Sequence, residues 1–201
     1  MKIGIIVGSH RKESQSAKVG NFLAQKLKDM AVQTWTLDLG KTPLPIWQES
    51  FWDGGPEWDS IWKPIDSELR GCEGFVTISP EYAGMASPAL KNFFLYAGTV
   101  QLGHKPSLLV GVSAGRGGAF PVDELRGSSY KNSKLCHIPE QLLFRDTEHL
   151  VNPGDPVSQE DSYIRERSTY ALRVLLAYAE ALSEVRESGV TDDPRFKNGM
   201  S

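Results

Sequence analysis

The sequence has little cysteine, no long apolar run and no excess of positive charge, and each absence excludes a class of protein. The only cysteines, Cys72 and Cys136, offer no zinc-ligand spacing, so no metal site is expected and both are predicted to be small buried hydrophobic residues. No apolar run approaches the roughly 20 residues that a membrane span requires. The net charge of -3 at pH 7 argues against a nucleic-acid-binding surface, which would be basic.

Several well-known sequence signals are also missing. The opening segment "MKIGIIVGSH" has neither an extended apolar stretch nor a small-residue cleavage site, so a cytoplasmic protein is expected. There is no G-x-x-x-x-G-K-[ST] motif, and no G-x-G-x-x-G follows the first apolar run. That run does not end in paired aspartates either. These absences argue against a P-loop hydrolase, a protein that binds a dinucleotide through the glycine fingerprint, and a magnesium-dependent phosphoacceptor.

What is present is an alternation of short apolar runs with helical patterns. Runs that are apolar almost throughout are typical of parallel strands covered on both faces, and they are "KIGIIVG" (2–8), "GFVTIS" (74–79) and "SLLVGVS" (107–113). Residues 32–39 suit a strand nearer an edge, and 134–138 is the weakest candidate for a fifth strand. Helical spacing predicts helices over 16–30, 59–70 and about 161–185, and a fourth that begins after Ser87 and stops at Gly98. The pattern predicts an α/β fold with one domain over 1–185 and a polar tail over 186–201.

Each of the three most apolar strands is followed by an unusual loop. These loops are "GSHRKESQS" (8–16), "SPEYAGM" (79–85) and "SAGRGGAF" (113–120). In an open parallel sheet the loops that leave the carboxyl ends of the strands share one edge, where ligands bind. We therefore expect the three loops to form one site.

The residue types of the three loops suit a ligand with a phosphate at one end and a planar ring at the other. Hydroxyl groups, Arg11 and the amides of a helix start suit a phosphate, although a serine that only caps the helix and a solvated arginine would look the same. A tight turn at Pro80 and Gly84, with the ring of Tyr82, suits a planar ligand. Three glycines in "SAGRGG" allow consecutive N–H groups to meet an electron-rich edge, although such loops are often simple turns. Flavin mononucleotide (FMN) has both ends.

At these residues the chain resembles the NADPH-dependent FMN reductase family. "GSHRKESQS" is similar to the family's phosphate loop, "SPEYAGMASPALKNF" to its flavin-ring signature and "VSAGRGGA" to its third loop, while "LLFRDTEHLVNPGD" resembles its late loop. The resemblance implies a flavodoxin-like three-layer sandwich with a five-stranded parallel sheet of order 2-1-3-4-5. It also implies bound FMN, NADPH or NADH as co-substrate, a small-molecule electron acceptor and a homodimer or homotetramer.

The resemblance also implies roles for individual residues. The phosphate would be held by Ser9, Arg11, Ser14, Gln15 and Ser16. The ring and ribityl chain would be lined by Pro80, Glu81, Tyr82, Ala83 and Gly84, and the pyrimidine end by Ser113, Gly115, Gly117 and Gly118. The chain departs from the family at Ala83, where Asn is usual, and at Met85, where Ser is frequent. Arg116 is either a contact for the phosphates of the nicotinamide dinucleotide or a solvent-facing arginine.

The cofactor carries the chemistry of such a reductase, so no catalytic nucleophile or general base is expected. Two alternatives remain open at this point, a flavodoxin-type electron carrier and a non-catalytic flavin-binding or regulatory protein of the same fold. The tryptophan-rich segment 47–62 either covers an acceptor site or packs in the core and at an interface, and we favour packing.

Overall fold

Five parallel strands form one sheet in the order β2-β1-β3-β4-β5 in a computed structural model of the chain, which describes residues 1–196. The strands are β1 (Lys2–Val7), β2 (Gln33–Asp38), β3 (Gly74–Pro80), β4 (Pro106–Val112) and β5 (Cys136–Phe144). The helices are α1 (Gln15–Asp29), α2 (Ser50–Asp53), α3 (Pro56–Arg70), α4 (Pro88–Tyr96), α5 (Thr99–Leu102), α6 (Ala119–Gly127) and α7 (Gln159–Glu187). Single turns of 3₁₀ helix lie at Thr147–His149 and Pro194–Phe196. The predicted flavodoxin-like strand order is confirmed.

Two helical layers cover the sheet because both faces of its central strands are apolar. On one face, Ile5 and Val110 pack with Leu23 of α1 and Leu172 of α7. The other face carries Phe75 and meets α3, α4 and α6 in a second cluster that includes Leu69, Phe93 and Leu125. The two clusters make the chain a three-layer sandwich.

Serine caps set the starts of the helices that leave the candidate site. The Ser14 hydroxyl accepts a hydrogen bond from the Ala17 N–H at 3.0 Å at the start of α1. The Ser87 hydroxyl accepts from the Leu90 N–H at 3.2 Å, and Pro88 occupies the first position of α4. Both are the N-cap arrangements that the sequence predicts.

Several boundaries differ from the prediction. Strand β5 runs to Phe144 rather than ending at 138. Its pairing with β4 shifts register between Ser107 and Leu109 of β4, and this irregularity hides the alternation of apolar and polar residues in β5. Helix α6 was missed, since its short sequence "AFPVDELRG" contains both Pro and Gly. The segment 41–58, predicted to be one long loop, contains α2 and the start of α3. Helix α4 ends at Tyr96, before the predicted stop at Gly98. Gly98 instead lies at the N-cap of α5.

The end of α7 and the burial of one cysteine also differ from the prediction. Helix α7 extends to Glu187, two residues into the predicted polar tail, while residues 197–201 lie outside the described residues. Cys72 is buried as predicted, but Cys136 is only half-buried because it opens β5 at its edge. Within residues 1–196, every helix is too short or too polar to cross a bilayer.

The strand register places the carboxyl ends of four strands side by side. Val7 pairs with Ile78, Pro80 pairs with Val112, and Val112 pairs with Phe144. The loops that follow β1, β3, β4 and β5 therefore start from one rim of the sheet. This confirms the expected common edge and adds a fourth segment, which follows β5.

Candidate functional site

Four segments of chain meet at the carboxyl rim of the sheet. We call residues 8–14 the first rim loop, 81–87 the second, 113–118 the third and 145–149 the fourth. Hydrogen bonds join the first to the second, the second to the third and the third to the fourth. The predicted site residues are distributed over the first three loops and the adjoining ends of α1 and β3.

The first rim loop is tied to the second by a serine that is fully buried. The Ser9 hydroxyl lies 2.9 Å from the Tyr82 hydroxyl and accepts the Arg11 N–H at 3.2 Å. The Ser87 hydroxyl also donates to the Gly8 carbonyl. Ser9 therefore positions Tyr82 against the first loop, a contact that the sequence did not predict.

The remaining phosphate candidates surround the N-terminus of α1. Ser14 caps the helix, Ser16 is buried in its first turn, and Arg11 is exposed with no acceptor near its guanidinium among residues 1–196. The amide oxygen of Gln15 is buried and has no hydrogen-bond partner within the same residues. This oxygen is an acceptor, so a ligand would pair it with a donor such as a hydroxyl, whereas a phosphate pairs the N–H and O–H donors around it.

The second rim loop contains a two-residue turn. The Tyr82 N–H donates to the Met85 carbonyl at 3.1 Å, and the Met85 N–H donates to the Tyr82 carbonyl at 3.0 Å. Both residues between them have positive φ, 52° at Ala83 and 73° at Gly84. Positive φ at both central positions is the geometry of a type I′ turn, for which Asn-Gly is the preferred sequence. Ala83 is therefore strained here, since an L side chain disfavours the left-handed region.

The fourth rim segment holds the third loop by alternate carbonyl groups. The Thr147 hydroxyl donates to the Ser113 carbonyl at 2.6 Å, and the Asp146 N–H donates to the Gly115 carbonyl at 2.8 Å. The Arg145 Nε donates to the Gly117 carbonyl at 3.0 Å. Three peptide groups of the loop are thus oriented by one neighbouring segment.

This orientation decides where the N–H groups of the third loop point. A trans peptide directs its N–H opposite to its C=O, and residues 1–196 contain no cis bond. The N–H groups of Ala114, Arg116 and Gly118 therefore point away from the fourth segment. The Gly118 N–H donates to the Glu81 carboxylate, whereas those of Ala114 and Arg116 have no acceptor among the described residues. The N–H groups of Ala114 and Arg116 are therefore free donors on the side of the loop that faces away from the fourth segment.

Glu81 acts as a brace between the second and third loops. Its N–H donates to the Val112 carbonyl at 2.9 Å, while its carboxylate accepts from Gly118. A Cβ added at Gly117 would lie 2.5 Å from a carboxylate oxygen of Glu81. The absence of a side chain at Gly117 therefore leaves room for the Glu81 carboxylate to reach the Gly118 N–H.

A second carboxylate ties the second loop to α6 and α4. Glu124 of α6 accepts the Ala86 N–H at 2.6 Å and forms an ion pair with Lys91 of α4. The Lys91 ammonium and then the Ala86 N–H lower the pKa of the Glu124 carboxyl from its ordinary value. Glu81 and Glu124 together set the spacing between the second loop and the start of α6.

Some predicted site residues serve the scaffold. Pro80 is a buried residue of β3, and the Ser113 hydroxyl accepts the Gly115 N–H at 3.1 Å. Gly84 and Gly115 have no atom within 4 Å of a Cβ built on them, so their backbones are open to an approaching ligand. Sequence reasoning missed Arg145, Asp146 and Thr147, and it expected N–H donors from the third loop without indicating which of them are free. The resemblance of 142–155 to a late loop pointed to this segment without indicating a role.

The residues present fit FMN. The N-terminus of α1 offers amides, hydroxyls and a guanidinium for a phosphate, and the turn at Ala83 and Gly84 presents open backbone beside the Tyr82 ring. The N–H pair of the third loop suits the electron-rich edge of a flavin. Fold and rim together define a flavodoxin-like flavoprotein.

The comparison with known proteins gives the family. The family model described as NADPH-dependent FMN reductase matches residues 1–149, and the chain belongs to this family of FMN-dependent NAD(P)H oxidoreductases. A 2-hydroxy-1,4-benzoquinone reductase from Burkholderia sp. is 26% identical over 80% of this chain and 87% of its own. An FMN-dependent NADPH-azoreductase of Staphylococcus aureus is 25% identical over 94% of this chain and 97% of its own.

Solved structures show the same fold. A flavoenzyme NAD(P)H:acceptor oxidoreductase from Paracoccus denitrificans superposes with a TM-score of 0.66 at 18% identity, covering 91% of this chain and 97% of its own. At this identity the likeness concerns the fold alone. It confirms the sheet order and the helical layers described above.

Proposed function

We propose that this oxidoreductase passes electrons from NAD(P)H through FMN, bound at the rim, to a small organic acceptor of the quinone or azo class. The acceptor class is suggested by relatives that are named benzoquinone reductase and azoreductase. The single observation that carries the assignment of the site is the orientation of the third loop. Three carbonyls are held by residues 145–147, and two N–H groups are left free on the opposite side.

We assign the following work to the residues of the chain. Arg11, the N-terminus of α1 and the amide N–H₂ group of Gln15 bind the phosphate, with Ser14 and Ser16 in the same turn. Tyr82, held by Ser9, forms a wall for the ring, and the turn at Ala83 and Gly84 lets the backbone approach it. The N–H groups of Ala114 and Arg116 stabilise negative charge at the pyrimidine edge, as preorganised dipoles do.

When bound, FMN would supply the two-electron chemistry, by accepting hydride from the nicotinamide and passing the electrons to the acceptor. The protein positions the partners and keeps the third loop rigid. No side chain is assigned as a nucleophile or general base. Glu81 is a positioning residue, since its carboxylate is engaged by Gly118.

A homodimer or homotetramer is part of the proposal. Trp52, Leu95 and Val100 are 73%, 61% and 58% exposed and line one groove beside the tryptophan-rich segment. Exposed apolar side chains gathered in one place are typical of protein interfaces. Trp62, at 9% exposure, is buried against the rings of Phe51 and Tyr96, so this segment combines core and surface roles. The free thiols of Cys72 and Cys136 suit a reducing compartment, and we propose a cytoplasmic location.

The decisive experiment has two stages. FMN fluorescence is titrated with the purified protein, and the loaded protein is then mixed with NADPH or NADH in a stopped-flow instrument. We expect quenching on binding, rapid bleaching of the flavin absorbance, and steady-state NAD(P)H oxidation with a quinone or azo dye. Binding without bleaching would indicate a non-catalytic flavin protein. Bleaching that requires a separate reductase would indicate an electron carrier.

A further inference from the structure

A lysine of α1 connects the phosphate end of the proposed FMN site to the fourth rim segment. Lys18 lies one turn after Ser14, the N-cap of that helix. Its ammonium group donates to the Thr147 carbonyl at 2.5 Å and to the Asn152 amide oxygen at 3.1 Å, and the Glu148 carbonyl lies 3.4 Å away. Three acceptors on the chain between β5 and α7 therefore surround one ammonium, which has three N–H donors.

The surroundings of Lys18 hold this contact in place. The Asn152 amide donates to the Glu148 carbonyl at 3.0 Å, and the Arg165 guanidinium of α7 donates to the Asn152 carbonyl at 2.6 Å. Burial lowers the pKa of the Lys18 ammonium from its ordinary value, whereas the carboxylates of Glu148 and then Asp161 raise it. Lys18 is half-buried, so its bonds are charge-assisted hydrogen bonds partly withdrawn from water.

The residue that accepts from Lys18 also holds the third rim loop. The Thr147 hydroxyl donates to the Ser113 carbonyl at 2.6 Å, and the Thr147 N–H donates to the same carbonyl at 3.3 Å. The peptide group that carries this carbonyl also carries the Ala114 N–H, one of the two free donors. A continuous path of hydrogen bonds thus runs from the first turns of α1, through Lys18 and Thr147, to a donor of the third loop.

We propose that Lys18 is a positioning residue that, through Thr147, aims the Ala114 N–H at the pyrimidine edge of FMN and so raises the reduction potential of the bound cofactor. Negative charge develops at this edge on reduction, so a well-aimed donor stabilises reduced FMN more than oxidised FMN. Without Lys18, the Thr147 carbonyl keeps only the Leu150 N–H, at 3.2 Å, as a donor from residues 1–196. The turn that carries the Thr147 hydroxyl can then shift. The inference rests on the proposed function, since it requires FMN at the rim.

The test measures the reduction potential of bound FMN against a redox dye during chemical reduction, so that the result does not depend on NAD(P)H. In Lys18→Met the Kd of reduced FMN should rise about tenfold more than the Kd of oxidised FMN, which lowers the two-electron potential by about 30 mV. Lys28→Met removes the same charge from the exposed last turn of α1 and should keep the wild-type potential. A lysine with a merely structural role would weaken both redox states alike, so an unchanged potential in Lys18→Met overturns the proposal.

A double variant separates positioning by Lys18 from the direct effect of its charge. Thr147→Val removes the hydroxyl that donates to Ser113 and should lower the potential by itself, which keeps the proposal testable if Lys18→Met does not fold. Adding Lys18→Met to Thr147→Val should then lower the potential little further, because both changes interrupt the same path. A full additional shift of about 30 mV would show that the charge acts through space. That result, or a wild-type potential in Thr147→Val, rules out the proposed path.

The outcomes for Lys18 and for the proposed function are distinct. If NAD(P)H bleaches the FMN of the wild type but Lys18→Met keeps the wild-type potential, the reductase assignment stands and the role of Lys18 is wrong. If FMN binds but NAD(P)H does not bleach it, the reductase assignment fails, and the potentials still decide the role of Lys18. If the wild type binds no FMN, both fail together.

Discussion

The second and third rim loops lie at the same rim of the sheet but are held in shape by different means. The third loop is fixed by distant residues, with carbonyls bonded to 145–147 and the Gly118 N–H bonded to Glu81. The turn of the second loop, in contrast, is closed by its own backbone between Tyr82 and Met85, and Ala83 is strained. A loop braced by tertiary contacts can keep free N–H groups aimed at a ligand. A self-closed turn depends on the residues at its tip.

The largest effect is expected from Gly117→Ala, which attacks the brace of the third loop. The new Cβ would lie 2.5 Å from Glu81, so the carboxylate must move and leave the Gly118 N–H unpaired. The free energy of unfolding should fall by about 1–3 kcal/mol, and the Kd for FMN should rise at least about tenfold. Urea denaturation and FMN fluorescence titration measure both.

Gly115→Ala is the control for stability, since nothing lies within 4 Å of its Cβ. Its unfolding free energy should stay within about 0.5 kcal/mol of the wild type. In the double variant Glu81→Ala/Gly117→Ala the two losses should not add, because both remove the same contact. Additive losses would show that Glu81 and Gly117 act independently.

A smaller effect is expected from Thr147→Val, which removes the hydroxyl that donates to the Ser113 carbonyl and approaches the Phe144 carbonyl at 3.0 Å. The side chain keeps its volume, so the loss reports the hydrogen bonds, about 1 kcal/mol in unfolding free energy. FMN affinity should fall as well, since the Ser113 carbonyl then keeps only the Thr147 N–H, at 3.3 Å, as its donor from residues 1–196. Thr147→Ser keeps the hydroxyl and should retain the affinity. Equal FMN affinity in Thr147→Val and wild type would contradict the role given to the fourth segment.

The strained turn of the second loop offers a change in the opposite direction. Ala83→Asn places the preferred residue of a type I′ turn at φ 52° and should stabilise the fold by roughly 0.5–1 kcal/mol. It should also tighten FMN binding, since the turn is then preorganised. Ala83→Gly relieves the same backbone strain without adding a side-chain amide. If both variants gain stability, relief of backbone strain is the cause. If only Ala83→Asn gains stability, the asparagine side chain is the cause. Destabilisation by both would show that the turn is not strained.

The smallest effect concerns the pH dependence of the second brace. The folded-state pKa of Glu124 is lowered from the ordinary 4.5, mainly by Lys91 and then by the Ala86 N–H. A lowered carboxyl pKa contributes stability that is complete above the ordinary value and is lost as the pH falls below about 4.5. Because the pair is partly exposed, the loss should be well under about 1 kcal/mol. Urea midpoints measured from pH 3.5 to 7 should fall less steeply at the acid end in Glu124→Gln than in the wild type, and parallel curves would contradict this.

Much of the fold could be predicted because the central strands are buried on both faces. Their apolar runs are unbroken, as in 74–79, and the serine caps at Ser14 and Ser87 mark helix starts with local hydrogen bonds. Helix α6 and the end of β5 escaped prediction because proline, glycine and a register shift break their periodicity. Apolar periodicity in the sequence identifies a strand or helix only where the burial of its residues repeats regularly.

The sequence by itself determined the five strands, the helices α1, α3, α4 and α7, the three loops at one edge and the residue types offered there, because burial and capping depend on neighbours along the chain. Only the tertiary structure decided which groups of the rim are engaged by the scaffold and which are free to bind a ligand. It turned Glu81 toward Gly118, closed the turn at a strained Ala83, and brought Arg145, Asp146 and Thr147 onto the carbonyls of the third loop. The direction of a peptide group is set by the partner that its carbonyl finds, and here that partner lies about 30 residues further along the chain.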